Sequence, residues 1–231
     1  MKKEKDFAHV VGAGVALQQQ LPWMELVAVG GTAAALHAHH RVSYDVDFVS
    51  RGLKENFEKV LNAVNEWTEW QTNRAQYPVL ILGEAHAIEI GIRQAYREKP
   101  IQTISKQGLV IPTIEECFRI KSFLLLKRRA TRDFIDVCAL LDKIGDKRAA
   151  ELLASLDTDF PSLDKLSNTH HFAAAIREAP VDRNKIQLAK YKGLQAPYTD
   201  WGYIDRRLQQ ASLEWVARRL AQPPSRPPET P

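Results

Sequence analysis

The chain has 231 residues, a hydrophobic content of 45%, a mean hydropathy of -0.32 and a formal net charge of +4. These values predict a soluble globular protein, and no apolar run approaches the roughly 20 residues that a membrane-spanning helix needs. Cys117 and Cys138 are too few for a disulfide framework, so we expect buried, reduced thiols in a cytoplasmic protein.

The first half of the chain predicts alternating helices and strands. Residues 5–20 have the pattern of an amphipathic helix, and "ELVAVGG" (25–31) predicts a short strand followed by a helix over 32–39. "SYDVDFVS" (43–50) alternates polar and apolar residues, as a strand with one buried face does. A helix is predicted next, over 54–69.

Three more strands are predicted before residue 113. "PVLIL" (78–82) and "HAIEIGIRQ" (86–94) would be joined by a turn at Gly83-Glu84, and "GLVIP" (108–112) would be the last strand. Beyond it the pattern is helical, over 113–130, 132–144, 147–155, 161–178 and 200–221.

The spacing of Thr113 and Glu116 indicates a capping box at the start of the helical part. The predicted fold class is therefore α+β. A small mixed-sheet domain would cover 1–112 and an all-helical domain 113–222, followed by a disordered, proline-rich tail over 223–231.

The excess positive charge lies in the second part. Residues 1–112 hold 12 Lys/Arg and 12 Asp/Glu, whereas residues 113–231 hold 20 and 16. Six basic residues occur with no acidic residue between Glu116 and Asp133: Arg119, Lys121, Lys127, Arg128, Arg129 and Arg132. Such a surface can bind phosphates, including those of RNA, or it can be a solvated helix face.

Asp45 and Asp47 are the first candidate metal ligands. Residues two apart on a strand point to the same face, so both carboxylates would project together while Val46 and Phe48 face the core. Adjacent carboxylates repel unless a cation lies between them, and oxygen ligands suit Mg²⁺ or Mn²⁺. The alternative is that both are solvent-facing residues of an amphipathic strand.

A third carboxylate could come from "AIEIGI". Glu89 would face away from the buried isoleucines and could join the aspartates if its strand lay beside 44–49. Glu84 is the alternative, but it falls in the predicted turn.

Gly30-Gly31-Thr32 lies where a strand passes into a helix. Backbone N–H groups at a helix N-terminus can bind phosphate. Two glycines alone indicate only a tight turn, but their combination with Asp45 and Asp47 is more specific for a phosphate site.

Two blocks of the chain resemble a known family. Val29-Gly30-Gly31, thirteen residues and Asp45-Val46-Asp47-Phe48 match the signature of polymerase-β-like nucleotidyltransferases. The longer "GGTAAALHAHHRVSYDVDFVS" resembles AbiEii-type toxin nucleotidyltransferases, whose first motif runs Gly-Gly-Thr, a helix, His-Arg, Ser and Asp-x-Asp-Phe. "KSFLLLKRRATRDFIDV", beginning at Lys121, is similar to a second block of that family.

The resemblance implies transfer of NMP from an NTP to an acceptor hydroxyl. Asp45 and Asp47 would hold two Mg²⁺ (or Mn²⁺) ions, Glu89 would hold one of them, and Lys121 would neutralise phosphate charge. The nucleotide-binding residues would be Gly30, Gly31, Thr32, Arg41, Ser43, Arg128, Arg132 and Asp133. Arg128 and Arg132 would share a helix face if the helix continued between them.

The resemblance also implies a toxin paired with an antitoxin protein, and an acceptor such as the 3′ end of a tRNA. Three alternatives stay open: a small-molecule acceptor such as an aminoglycoside, a protein side chain as acceptor, or a non-catalytic nucleotide- or protein-binding module of the same fold. An acidic cleft would favour a cationic small molecule, and a basic groove would favour RNA.

Overall fold

The structure is a computed structural model that describes residues 6–95, 97, 99–161, 167–182 and 187–221. The tail predicted over 223–231 lies outside these residues. The helices are α1 (Phe7–Gln20), α2 (Gly30–Ala38), α3 (Leu53–Asn65), α4 (Ile114–Arg128), α5 (Thr131–Ile144), α6 (Asp146–Ala154), α7 (Leu156–Asp159), α8 (Asn168–Glu178) and α9 (Trp201–Ala221). Within the described part of the chain, no helix is long and apolar enough to cross a bilayer.

The strands are β1 (Val27–Val29), β2 (Asp45–Ser50), β3 (Trp70–Gln76), β4 (Leu80–Ala85), β5 (Ile88–Gln94), β6 (Thr103–Lys106) and β7 (Leu109–Pro112). Five of them form one sheet in the order β1-β2-β5-β4-β3, in which β2 and β5 are parallel and the other neighbours are antiparallel. β6 and β7 form a separate hairpin, and β7 packs beside β1. The predicted α+β class with a mixed sheet and a helical second part is confirmed.

One face of the sheet is covered by α1, which packs on β2 and β5. Val46 and Phe48 of β2 are buried beneath it, as the alternation predicts. Gly14 of α1 lies directly over these two side chains: a Cβ there would be 3.4 Å from both and 2.9 Å from Leu109. The absence of a side chain at Gly14 lets the helix approach the sheet closely.

The face of β2 opposite α1 is available for the metal and phosphate site that the sequence predicts. α2 connects this strand to the helical part. α2 follows β1 directly and packs against α4 and α5, which pack against each other. Its residues 32–38 are all buried, since this short helix has neighbours on every side. The division of the chain into domains at residue 112 stays a prediction.

The turn predicted at Gly83-Glu84 is wrong. Both residues belong to β4, and the chain turns instead at His86-Ala87, where φ is 51° and 60°. Two consecutive residues with positive φ make the tight turn that matches the twist of a hairpin. The sequence hides it because neither residue is the glycine or asparagine that usually occupies such positions.

Two strands were not predicted. The helix predicted to residue 69 ends at Asn65, and β3 begins at Trp70. β3 is an edge strand in which only Trp70 is buried, so it lacks the alternation that reveals other strands. β6 is equally exposed.

The capping box forms only in part. Thr113 accepts a hydrogen bond from the backbone N–H of Glu116, at 3.3 Å. The Glu116 carboxylate binds Arg97 and Arg119 instead of returning to Thr113, whose N–H donates to the carbonyl of Gln102. Cys117 and Cys138 are both free thiols in the core, as expected.

Two glycines of α1 should respond oppositely to substitution. Gly14→Val should lower the free energy of unfolding by about 1–3 kcal/mol, because the new side chain overlaps Leu109 and Phe48. Gly12 is exposed, and a Cβ added there would have no atom within 4 Å, so Gly12→Ala should raise it by up to about 1 kcal/mol through helix propensity. Urea unfolding measures both, and equal effects would contradict the packing of α1.

Candidate active site

The face of β2 opposite α1 carries the two aspartates. Asp45 is exposed and Asp47 is half-buried, while Val46 between them is in the core. Period-two alternation therefore places both carboxylates on one open face, as predicted from the sequence.

The pairing of β5 with β2 brings Glu89 to the same face. In the parallel register Asp45 lies opposite Glu89, and Asp47 lies opposite Gly91. Glu84 lies opposite Glu89 on β4, one strand further from the aspartates. Proximity to Asp45, and not a position in a turn, is thus the structural reason for preferring Glu89. We call Asp45, Asp47, Glu84 and Glu89 the acidic face.

Gly91 and Arg93 are site residues that the sequence analysis did not identify. A Cβ at Gly91 would overlap the Oδ1 of Asp47, so the glycine gives this carboxylate room to lie over β5. Arg93, two residues further along, places its Nε 3.3 Å from the same oxygen. A glycine inside an apolar strand, between Ile90 and Ile92, was the available signal.

Gly30 and Gly31 are the first two residues of α2, immediately after β1. Gly30 has a φ of +72°, and a Cβ there would lie 3.6 Å from Oδ2 of Asp47. A Cβ at Gly31 would lie 2.6 Å from the Arg41 guanidinium and 2.7 Å from the Ser43 hydroxyl. The glycines therefore bring the N-terminal backbone of a helix close to the acidic face without side chains in between.

Thr32 and Ser43 hold Asp45 in place. The Thr32 hydroxyl donates to the Asp45 carbonyl oxygen at 2.6 Å, and the Ser43 hydroxyl donates to its Oδ1 at 2.9 Å. Both side chains are buried. Any contact of Thr32 with a phosphate would have to use its backbone N–H, because its hydroxyl is already bound.

Asp136 of α5 is fully buried and connects the site to the helical part. Its Oδ1 accepts from His40 Nε2 at 2.8 Å and from Arg41 Nε at 2.7 Å. Its Oδ2 accepts from Arg41 Nη2 at 2.9 Å and lies 2.6 Å from the Lys121 ammonium. One carboxylate thus binds three side chains, through all the lone pairs that it has.

Lys121 is 1% exposed and also lies 3.5 Å from Asp133. Its expected role in neutralising phosphate charge stays a prediction, since its ammonium is turned towards two buried carboxylates. Asp133 in turn binds the Arg128 guanidinium through both oxygens, at 2.5 and 2.8 Å. Arg128 is near enough to Asp47 for their charges to interact.

Arg128 and Arg132 do not share a helix face. α4 ends at Arg128, Arg129 adopts a left-handed conformation with a φ of 46°, and α5 begins at Thr131. Arg132 is exposed in the first turn of α5. The two arginines therefore belong to different helices.

The surrounding charges fix the ionisation of Asp136. Burial alone would raise the pKa of Asp136, but Arg41 and Lys121 outweigh it and hold this pKa well below its usual range. Burial lowers the pKa of His40 against the opposing bond to Asp136, so His40 is neutral at pH 7 and donates from Nε2. The pair is therefore a carboxylate with a neutral imidazole.

The carboxylates fit a cation that is shared with a substrate. Among the described residues, no three His, Cys, Asp or Glu side chains are gathered closely enough to hold a metal by themselves. Mg²⁺ commonly takes one or two carboxylates, waters and substrate phosphate oxygens instead of a complete protein cage. Asp45 and Asp47, side by side with Glu89 in register, offer that kind of partial set.

Sequence comparison gives one family. Residues 24–200 match the model of "Nucleotidyl transferase AbiEii toxin, Type IV TA system". No curated protein matches the chain in sequence.

Solved structures share the fold. MenT4, a nucleotidyltransferase toxin from Mycobacterium tuberculosis H37Rv, superposes with a TM-score of 0.55 at 16% identity, covering 91% of this chain and 84% of that one. JHP933 from Helicobacter pylori superposes with a TM-score of 0.54 at 14% identity, covering 95% of each chain. At such identities the similarity concerns the fold alone.

Asp136→Asn should strongly destabilise the protein. It leaves Arg41 and Lys121 buried without their main counter-charge, and loss of one partner of a buried pair costs about 3–5 kcal/mol. Glu151→Gln removes an exposed partner of Arg148 and should change the free energy of unfolding by less than about 1 kcal/mol. Urea denaturation compares the two, and similar losses would contradict the central role of Asp136.

The same substitution should alter the pH dependence of stability. The pKa of Asp136 is depressed in the folded protein, so its stabilisation is present above the unfolded pKa of about 3.9 and is lost as pH falls towards the folded value. Between about pH 5 and pH 3 the wild type should therefore lose more unfolding free energy than Asp136→Asn. Parallel curves would show that Asp136 carries no such linkage.

Proposed function

The chain belongs to the AbiEii family of toxin nucleotidyltransferases, and from this premise we propose that it transfers NMP from an NTP to the 3′ end of a tRNA in a Mg²⁺- or Mn²⁺-dependent reaction. The family is the toxin component of a type IV toxin-antitoxin system, so an NTP substrate and an antitoxin partner follow from membership. The metal, the RNA acceptor and a cytoplasmic location are parts of the proposal.

One observation above all supports the proposed transfer reaction. Asp45 and Asp47 share an open face in register with Glu89, and the glycine-led N-terminus of α2 lies beside them. A module that only bound a protein would have no need for crowded carboxylates next to a phosphate-binding helix end.

Each residue of the site has a role in this reaction. A divalent cation, when bound, neutralises triphosphate charge and favours ionisation of the attacking hydroxyl. Asp45 and Asp47 would hold it with Glu89, and the backbone N–H groups of Gly30 and Gly31 would receive phosphate oxygens. Thr32 and Ser43 would act through Asp45, whose backbone and carboxylate they bind.

The residues around Asp136 would hold the site in position without belonging to the acidic face. Arg41 is held by Asp136 and packs against Gly31, so it would fix the loop that leads into β2. Asp133 would hold the Arg128 guanidinium, whose charge interacts with that of Asp47, and Arg128 would bind a phosphate of the substrate. Lys121 would help to hold the site in position, because it binds Asp136 and lies beside Asp133 in the same buried network.

Basic residues beside the site support an RNA acceptor. Arg93 lies on the sheet beside Asp47, the charge of Arg128 interacts with that of Asp47, and Arg132 is exposed at the start of α5. Phosphates of an acceptor strand would be attracted to them. A cationic small molecule is the second candidate, favoured by the row of Asp45, Glu89 and Glu84 across three neighbouring strands.

The first test is transfer of label from each of four α-³²P NTPs into total tRNA with Mg²⁺. Asp47→Asn should reduce the rate at least about 100-fold, because it removes a charged metal ligand. Glu58→Gln, a carboxylate-to-amide change on the exposed side of α3, is the matched control and should leave the rate unchanged.

The acceptor classes separate in the same assay. Label on RNA with one NTP, lost in Asp47→Asn, would support the whole proposal. Label on an aminoglycoside but not on RNA would select the second candidate. If neither label transfer nor Mg²⁺-dependent NTP binding is observed, catalysis is refuted and a binding module remains.

The third carboxylate is tested by a pair of isosteric changes. Glu89→Gln should lower the transfer rate at least about tenfold, since Glu89 lies opposite Asp45. Glu84→Gln, one strand further away, should stay within about twofold of wild type. The reverse ranking would assign the role to Glu84.

A further inference from the structure

Within the described part of the chain, Arg93 is the basic residue that forms an ion pair with the acidic face. It lies on β5 four residues after Glu89, so both side chains point to the same side of the sheet. Its Nε is 3.3 Å from Oδ1 of Asp47, the oxygen for which Gly91 leaves room. No role is given to Arg93 by the two motif blocks, which end before it or begin after it.

The contact between Arg93 and Asp47 is loose. It is a single long bond through Nε, the Arg93 side chain is 46% exposed, and neither Nη nitrogen has a hydrogen-bond partner among the described residues. Arg41 differs in each respect, because it binds Asp136 through two nitrogens and its side chain is 8% exposed. An exposed pair with one contact is easily broken, whereas a buried two-point pair is not.

The charges of the acidic face favour a cation that can leave Asp47. Four carboxylates on one face repel a triphosphate, and a divalent cation that neutralises them competes with Arg93 for Asp47. A guanidinium released from Asp47 stays within reach of the same face, and its planar pair of Nη groups suits phosphate oxygens.

We propose that Arg93 is an exchangeable counter-ion: it neutralises Asp47 before substrate binds, and it turns to the triphosphate when Asp47 gives its oxygens to the cation. This inference rests on the proposed function, since it takes the acidic face to be the metal and triphosphate site. It makes Arg93 a substrate-binding residue that also lowers the affinity of the substrate-free site for metal.

The two halves of the role predict effects of opposite sign. Arg93→Gln should bind Mn²⁺ about threefold more tightly without nucleotide, because a competing cation is gone. It should bind tripolyphosphate with Ca²⁺ about tenfold more weakly, because a charged phosphate contact is lost. Electron paramagnetic resonance of free Mn²⁺ measures the first affinity and isothermal titration calorimetry the second, without turnover.

Two further variants sharpen the test. Arg93→Lys keeps the charge but not the planar fork, so it should match wild type towards Mn²⁺ and fall between wild type and Arg93→Gln towards tripolyphosphate. Arg74→Gln removes an exposed arginine of β3 that donates a hydrogen bond to Gln76, and it should match wild type in both measurements. Melting temperatures of all variants should agree, because Arg93 is not part of the core.

The outcomes separate this inference from the proposed function. If wild type binds Mn²⁺ and Asp47→Asn does not, while Arg93→Gln matches Arg74→Gln in both affinities, the role of Arg93 is refuted and the metal site stands. Weakening of both affinities in Arg93→Gln would also refute it, since a plain structural role moves them together. If wild type and Asp47→Asn bind Mn²⁺ equally poorly, the metal site is refuted, and the role of Arg93 with it.

Discussion

The four-point contact of Asp136 is the constraint on which the site depends. It binds His40 and Arg41 from the loop between α2 and β2, and Lys121 from α4. Only three residues separate Arg41 from Asp45, so fixing the guanidinium also fixes where β2 begins. Because the contact is buried, loss of the carboxylate would remove the main counter-charge of Arg41 and Lys121, and the loop would have to move. The acidic face therefore keeps its position through a residue that does not touch it.

Absent side chains shape the site as much as those present. A Cβ at Gly91 would overlap Asp47, a Cβ at Gly31 would overlap Arg41 and Ser43, and Gly30 has a φ of +72° that side-chain-bearing residues rarely adopt. Their combined effect is to let the helix N-terminus, the loop and β5 close around one carboxylate. The result is a compact, strongly charged surface in which Asp47 has the helix end on one side and Arg93 on the other.

Helices and strands that bury one face were predicted correctly from local sequence patterns. β2, α1 and α4 were predicted within a few residues, because alternation or helical spacing of apolar residues reports burial directly. β3 was not predicted, because an edge strand exposes both faces. The turn at His86-Ala87 was not predicted, because neither residue is the glycine or asparagine that usually occupies such positions. Glu89 lies opposite Asp45, but the turn that was supposed to exclude Glu84 does not exist, and the choice of Glu89 as third carboxylate stays a prediction.

The sequence by itself determined that Asp45 and Asp47 share a face and that two glycines precede a helix, since both follow from the period of a strand and the order of the elements. Only the tertiary structure decided that β5 pairs with β2, because strand pairing is long-range and no local period specifies a partner. It also decided that Lys121 and Asp133 are buried while Arg132 is exposed. A run of basic residues looks the same in sequence whether its charges are solvated or paired, and the difference arises only when another helix supplies the counter-charge in the core.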